Sequence, residues 1–114
     1  MTELVTSKLD LGTMVLAVVK SRDKKGGAFT DEITQSLLAL EDKLDFEPIS
    51  TRPGPTGADS DRVRSLVGVY RVRGYLKEDS PARITEKGEA RLESRLKALC
   101  KDNNELERFW SLLR

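Results

Sequence analysis

Residues 62 to 92 read RVRSLVGVYRVRGYLKEDSPARITEKGEARL. The first part is a basic amphipathic helix, in which Val63, Leu66, Val67 and Tyr70 recur at three- and four-residue spacing. Gly74 follows, a residue suited to the left-handed turn that ends a helix. Tyr75 to Asp79 and Ala82 to Thr85 then read as two short strands joined at Ser80-Pro81, and Thr85 caps a further helix reaching about Lys101. Stepping about 100° per residue, Arg62 and Arg73 flank the apolar stripe of the first helix on one side and Arg64 and Arg71 on the other. Ser65, Gly68 and Val72 fall between them on the outward face.

Upstream, the spacing predicts a helix over residues 10–21, capped by Asp10, with Leu11, Met14, Val15, Val18 and Val19 on its inner side. The valines in that stretch would equally suit a strand. A basic turn with two glycines ends it, and its Lys20, Arg22, Lys24 and Lys25 are either phosphate contacts or a solvated turn. A second helix is expected over residues 30–44, with Thr30 as cap and Asp31 and Glu32 in the first turn, where the helix dipole favours carboxylates. Residues 45–58, DFEPISTRPGPTGA, hold three prolines and two glycines, which argues against helix and central strand. Phe46 and Ile49 are expected to pin this loop to the core. The third helix then runs over 60–73, capped by Asp59 or Ser60. The competing reading makes Val69 to Leu76 a strand. A last helix begins at Asn103.

The segment GYLKEDSPARITEKGEARLE resembles the end of winged helix-turn-helix proteins, on Gly74, Tyr75, Leu76, Ile84, Thr85 and Gly88. With the upstream helices the resemblance covers roughly residues 10 to 100. It implies an α+β fold: a mainly helical winged helix-turn-helix with a short two-stranded wing in residues 1–102, followed by a C-terminal helix, 103–114. The connection between the second and third helices departs from that pattern, being far longer than the three or four residues of a helix-turn-helix. Its Gly54-Pro55-Thr56 is similar to a subgroup of winged-helix proteins from phages and mobile elements, some of which are antitoxins or adaptors. Winged helices serve both DNA binding and protein binding, so the resemblance fixes neither.

The 114 residues fit one domain, and a net charge of +1 gives no global pull toward nucleic acid. The local distribution differs: Arg62, Arg64, Arg71, Arg73 and Lys77 occupy a span with no acid. They are the expected duplex-DNA contacts, together with Ser65 and with Arg83 in the wing. The competing role for these arginines is pairing with Asp31, Glu32, Glu41 and Asp42 of the second helix and with Glu78 and Asp79. The expected function is that of a DNA-binding transcriptional regulator. The alternative is a protein-interaction module: an adaptor, an antitoxin-like partner or an assembly subunit.

Leu106, Phe109, Trp110 and Leu113 form an apolar stripe on the last helix, which either makes a homodimer interface or packs back on the first helix. The chain has no histidine and a single cysteine, Cys100, and no phosphate-loop motif. No catalytic residue, metal site or cofactor is therefore expected, and the chain is not expected to be an enzyme. The absence of a long apolar run and of a secretory signal at the N-terminus points to a cytoplasmic protein with no membrane partner.

Overall fold

A computed structural model of the chain describes residues 9–23, 26–41, 43, 46, 52–54, 57–78, 81–100 and 103–113. In chain order the elements are α1 (Leu11–Ser21), α2 (Thr30–Leu40), β1 (Arg52–Gly54), β2 (Gly57–Asp59), α3 (Asp61–Val72), α4 (Glu86–Leu99) and α5 (Asn103–Leu113).

The organising element is α1. Every residue from Leu11 to Val19 is buried, as expected for a helix that is apolar all round. α2, α3, α4 and α5 each pack against it. Its valines are β-branched, yet burial outweighs the few tenths of a kcal/mol that they cost in a helix. Asp10 caps it as expected: its carboxylate accepts from the Thr13 amide at 3.0 Å and the Thr13 hydroxyl at 2.7 Å.

α2 starts one residue differently from the reading of the sequence. Phe29, not Thr30, is the capping position, and the carboxylate of Glu32 reaches back to accept from the Phe29 amide at 2.9 Å. Ile33, Thr34, Leu37 and Leu40 face inward. The helix ends at Leu40; the expected continuation through Asp42 and Leu44 lies partly outside the described residues. In the following connection Phe46 is buried and forms a bridge with Leu9, as its role in pinning the loop requires. Ile49 lies outside the described residues. β1 and β2 form a short antiparallel pair, with Arg52 opposite Asp59 and Gly54 opposite Gly57, and β2 lies against α2. Pro53 is tolerated there because each strand of an isolated pair has an open edge that needs no amide hydrogen.

α3 is a helix throughout, not a strand from Val69. Ser60 caps it, with Oγ accepting from the Val63 amide at 3.4 Å. At its other end Gly74 takes φ 81°. The Tyr75 amide donates to Tyr70 O at 2.8 Å and the Gly74 amide to Arg71 O at 3.2 Å, the two bonds of a Schellman stop.

The expected two-stranded wing does not form. Among the described residues between 75 and 85 there is no strand, and the two segments meet in one isolated bridge, between Leu76 and Ile84. The fold is thus corrected from an α+β winged helix-turn-helix to a mainly helical domain whose described helices number five. Among the described residues the pairing is confined to that bridge and two backbone bonds, from the Lys77 amide to Arg83 O at 2.8 Å and from the Thr85 amide to Tyr75 O at 3.1 Å. Ala82 pairs with Ala28 in both directions, at 2.8 and 2.9 Å, so one side of the segment is turned to the α1–α2 connection. The Thr85 hydroxyl donates to Gly74 O at 2.6 Å and accepts from the Gly88 amide at 3.0 Å, which turns the chain into α4 at once. Pro81 has no amide hydrogen to extend a ladder. Asp79 and Ser80, at the expected tip, lie outside the described residues.

Gly88 is required where it stands, because a Cβ there would collide with the carbonyl oxygen of Tyr75. Leu92 and Leu96 carry the inner face of α4, which ends at Leu99. α5 returns to α1 and inserts Phe109, 0% exposed, into the common core. Leu106, Trp110, Leu112 and Leu113 are half-buried around it. A Phe109→Ala substitution should therefore cost about 3–5 kcal/mol of folding stability, measured by chemical denaturation followed by circular dichroism. Leu113→Ala, at a half-buried position, should cost clearly less. Equal costs at the two positions would contradict this placement of α5.

Candidate nucleic-acid interface

α3 is held to the body by its apolar stripe and by one polar cluster. Val63 and Val67 are buried, and Leu66 and Tyr70 pack at the edge of the core. The Tyr70 hydroxyl lies against Gly12 of α1, at a point where any Cβ would collide with it. Burial raises the Tyr70 phenol above its ordinary pKa, and the nearby Asp10 carboxylate adds to the shift. Asp10 itself accepts from Arg95 of α4 at 3.1 Å. Burial alone would raise the pKa of this carboxyl. The hydrogen bonds from Thr13 and Arg95 outweigh burial, and its pKa lies below the ordinary value of 3.8. This cluster ties α1 to α3 and α4 and fixes which side of α3 is turned outward.

That outward side carries most of the residues expected from the sequence. Arg62, Arg64 and Ser65 are exposed on α3, Arg73 is exposed at its C-terminal cap, and Lys77 is exposed just beyond. Arg71 is not among them: it is half-buried, with its Nε shut off from solvent. Arg62, Arg64 and Arg71 each also hold an interaction within the chain. Arg83 is exposed but sits on the bridged segment, 3.4 Å from Asp23. Glu32 at the start of α2 is engaged elsewhere, accepting from Arg22 at 3.4 Å.

The C-terminal end of α3 gathers further positive charge. Lys87 donates to Arg73 O at 2.9 Å and lies 5.5 Å from the centroid of the Tyr75 ring. Cations are favoured there by the helix dipole, so part of this charge serves the helix itself. Glu78 and Glu86 are exposed nearby in sequence and moderate the field.

Three residues of this surface lie outside the expected contacts; of them Val72 alone reads from the sequence as odd on an outward face, suiting either a thymine methyl or a protein interface. Val72 is 89% exposed and Val69 45% exposed, so the arginines frame an apolar strip. Gly68, in the middle of the helix, faces open space: a Cβ built there meets nothing within 4 Å. An exposed mid-helix glycine costs about 1 kcal/mol relative to alanine, and no packing among the described residues requires it. The sequence held this signal in the wheel position of Gly68, which falls opposite the buried stripe.

The apolar stripe assigned to dimer formation is largely occupied by the chain itself. Phe109 is fully buried, while Leu106, Trp110 and Leu113 rest half-buried against the same core. Among the described residues no group of three or more histidine, cysteine, aspartate or glutamate side chains is placed to hold a metal ion, and no helix is long and apolar enough to cross a membrane. No protein-family model, curated protein or solved structure matches this chain.

The polar cluster behind α3 sets a pH dependence. The folded-state pKa of Asp10 is depressed, so its contribution to stability is present above the ordinary value of 3.8 and is lost as pH falls through the lower, folded value. The stability difference between the wild type and Asp10→Asn should thus be largest near neutral pH and shrink as pH falls below about 3.8, read by urea titrations across that range. A difference that stays constant with pH would remove Asp10 from this role.

Proposed function

We propose that this chain is a small cytoplasmic DNA-binding protein that presents the outward face of α3 to a duplex. The observation that carries the reading is the shape and charge of that face. Its centre is small, at Ser65 and Gly68, and its edges are basic, at Arg62, Arg64, Arg73 and Lys77. A helix with a low centre and cationic flanks suits the major groove: the backbone comes close to base edges while arginines reach phosphates and guanines on both sides. Val72 fits the same role, as an apolar contact to a thymine methyl. Cys100, the single cysteine and a buried free thiol, suits a reducing compartment.

One observation favours a second reading. Val69 and Val72 are large apolar residues left open to solvent on the same helix, which also suits a protein-interaction module. The two readings part on salt. A duplex partner makes log affinity fall linearly with log salt concentration, by about 0.9 per phosphate contact. An apolar protein contact has no such slope.

Fluorescence anisotropy with a random-sequence duplex at several salt concentrations tests the proposal. Binding should weaken steeply with salt, and the double substitution Arg73→Ala/Lys77→Ala should flatten the slope by about one to two units. An absence of salt-dependent binding in the wild type, or an unchanged slope in the double variant with its helix content intact, would overturn the reading and leave the protein-interaction module in its place.

A further inference from the structure

Packing leaves the seam between α1, α4 and α5 partly open. Leu96 of α4 and Leu106 and Trp110 of α5 line a cleft of about 280 Å3, and Lys20, Glu93 and Lys97 stand at its edge. Trp110 is braced from behind by an edge-on contact with Phe109, 5.3 Å between ring centroids, so its indole forms a fixed wall. Lys20 is already engaged: its Nζ lies 3.6 Å from Glu89 and 5.7 Å from the centroid of the Trp110 ring. Lys97 is exposed, and no ion pair among the described residues holds it. None of these lining residues belongs to α3, so the cleft is separate from the basic face.

An apolar concave floor with a few charged groups at the rim is the usual make-up of a small-ligand site. We propose that this cleft binds a small apolar monocarboxylate, an aromatic or short aliphatic acid. Its hydrocarbon part lies between Leu96, Leu106 and Trp110, and its carboxylate meets the ammonium of Lys97. Lys97, with no ion pair of its own among the described residues, favours an anion over an organic cation at the rim. Glu93 at the same rim repels a second negative charge, which limits the ligand to a monoanion. The size of the cleft limits it to about one ring with a short substituent. Because the walls come from α4 and α5, the site exists only while α5 is docked, and an occupant stabilises that docking by mass action.

Trp110 is the single tryptophan of the chain, so its indole N–H gives one side-chain resonance that reports directly on the cleft. The full-length protein labelled with nitrogen-15 is titrated with benzoate, and separately with uncharged benzamide. The indole resonance should move saturably with benzoate, with Kd on the order of 1 mM for so small a ligand. Benzamide, and benzoate against the Lys97→Glu variant, should each bind about two- to fivefold more weakly, as expected for loss of one exposed charge pair. Lys97 is a surface residue, so the variant keeps its fold; Leu106→Phe, which narrows the cleft, should suppress binding independently. A benzoate shift that never saturates, equal affinity for benzamide, or unchanged affinity in Lys97→Glu would each overturn the assignment.

Discussion

The structure depends on one constraint: α1 is apolar on every side and must be covered on every side. A helix with nine consecutive buried residues, Leu11 to Val19, has no solvent face to offer. α2, α3 and α4 do not complete the cover alone, and α5 adds to it. This is why Phe109, in the last of the described helices, ends in the same core as Leu9. It is also why Gly12 is needed: the one point on α1 without a side chain is where the Tyr70 hydroxyl rests. Covering α1 in turn fixes α3 by its Val63–Val67 stripe and leaves the opposite side of α3 exposed.

Much of this was legible because it rests on local bonds. Asp10, Ser60 and Thr85 cap their helices as their side chains allow, and Gly74 stops α3 through two backbone bonds that need a left-handed residue. Gly88 enters the sequence reading only through the winged-helix resemblance, and its position is where α4 and the chain before it come too close for a Cβ. The fate of the wing was not legible. Pairing between residues 75–77 and 83–85 stops after one bridge, because the Thr85 side chain turns the chain into α4 at once and Pro81 offers no amide hydrogen, while Ala82 pairs through its other edge with Ala28, a partner distant in sequence. The pairing of β1 with β2 was hidden by its prolines and glycines, which suit an isolated pair as well as a loop. The fate of the α5 stripe was undetermined because an apolar stripe states the need for cover, not its source.

The candidate site was legible in its charges and less so in its shape. Arg62, Arg64, Ser65, Arg73 and Lys77 are exposed on or just beyond α3. Arg71 turned out half-buried, since its wheel position lies at the border of the stripe, where a long side chain can fold either way. The exposure of Val69 and Val72 depends on how far neighbouring elements reach along α3, a tertiary matter that periodicity does not report.

The central claim is that the outward face of α3 is shaped for close approach of a partner, and Gly68 is where stability and function pull in opposite directions. Gly68→Ala adds one methyl into open space on the free protein. The measurement is paired: denaturation stability and duplex affinity of the same variant. The account predicts that stability rises by about 0.5–1 kcal/mol while affinity falls by about tenfold, the cost of overfilling a close contact. A variant that gains stability and binds duplex DNA as tightly as the wild type would contradict it.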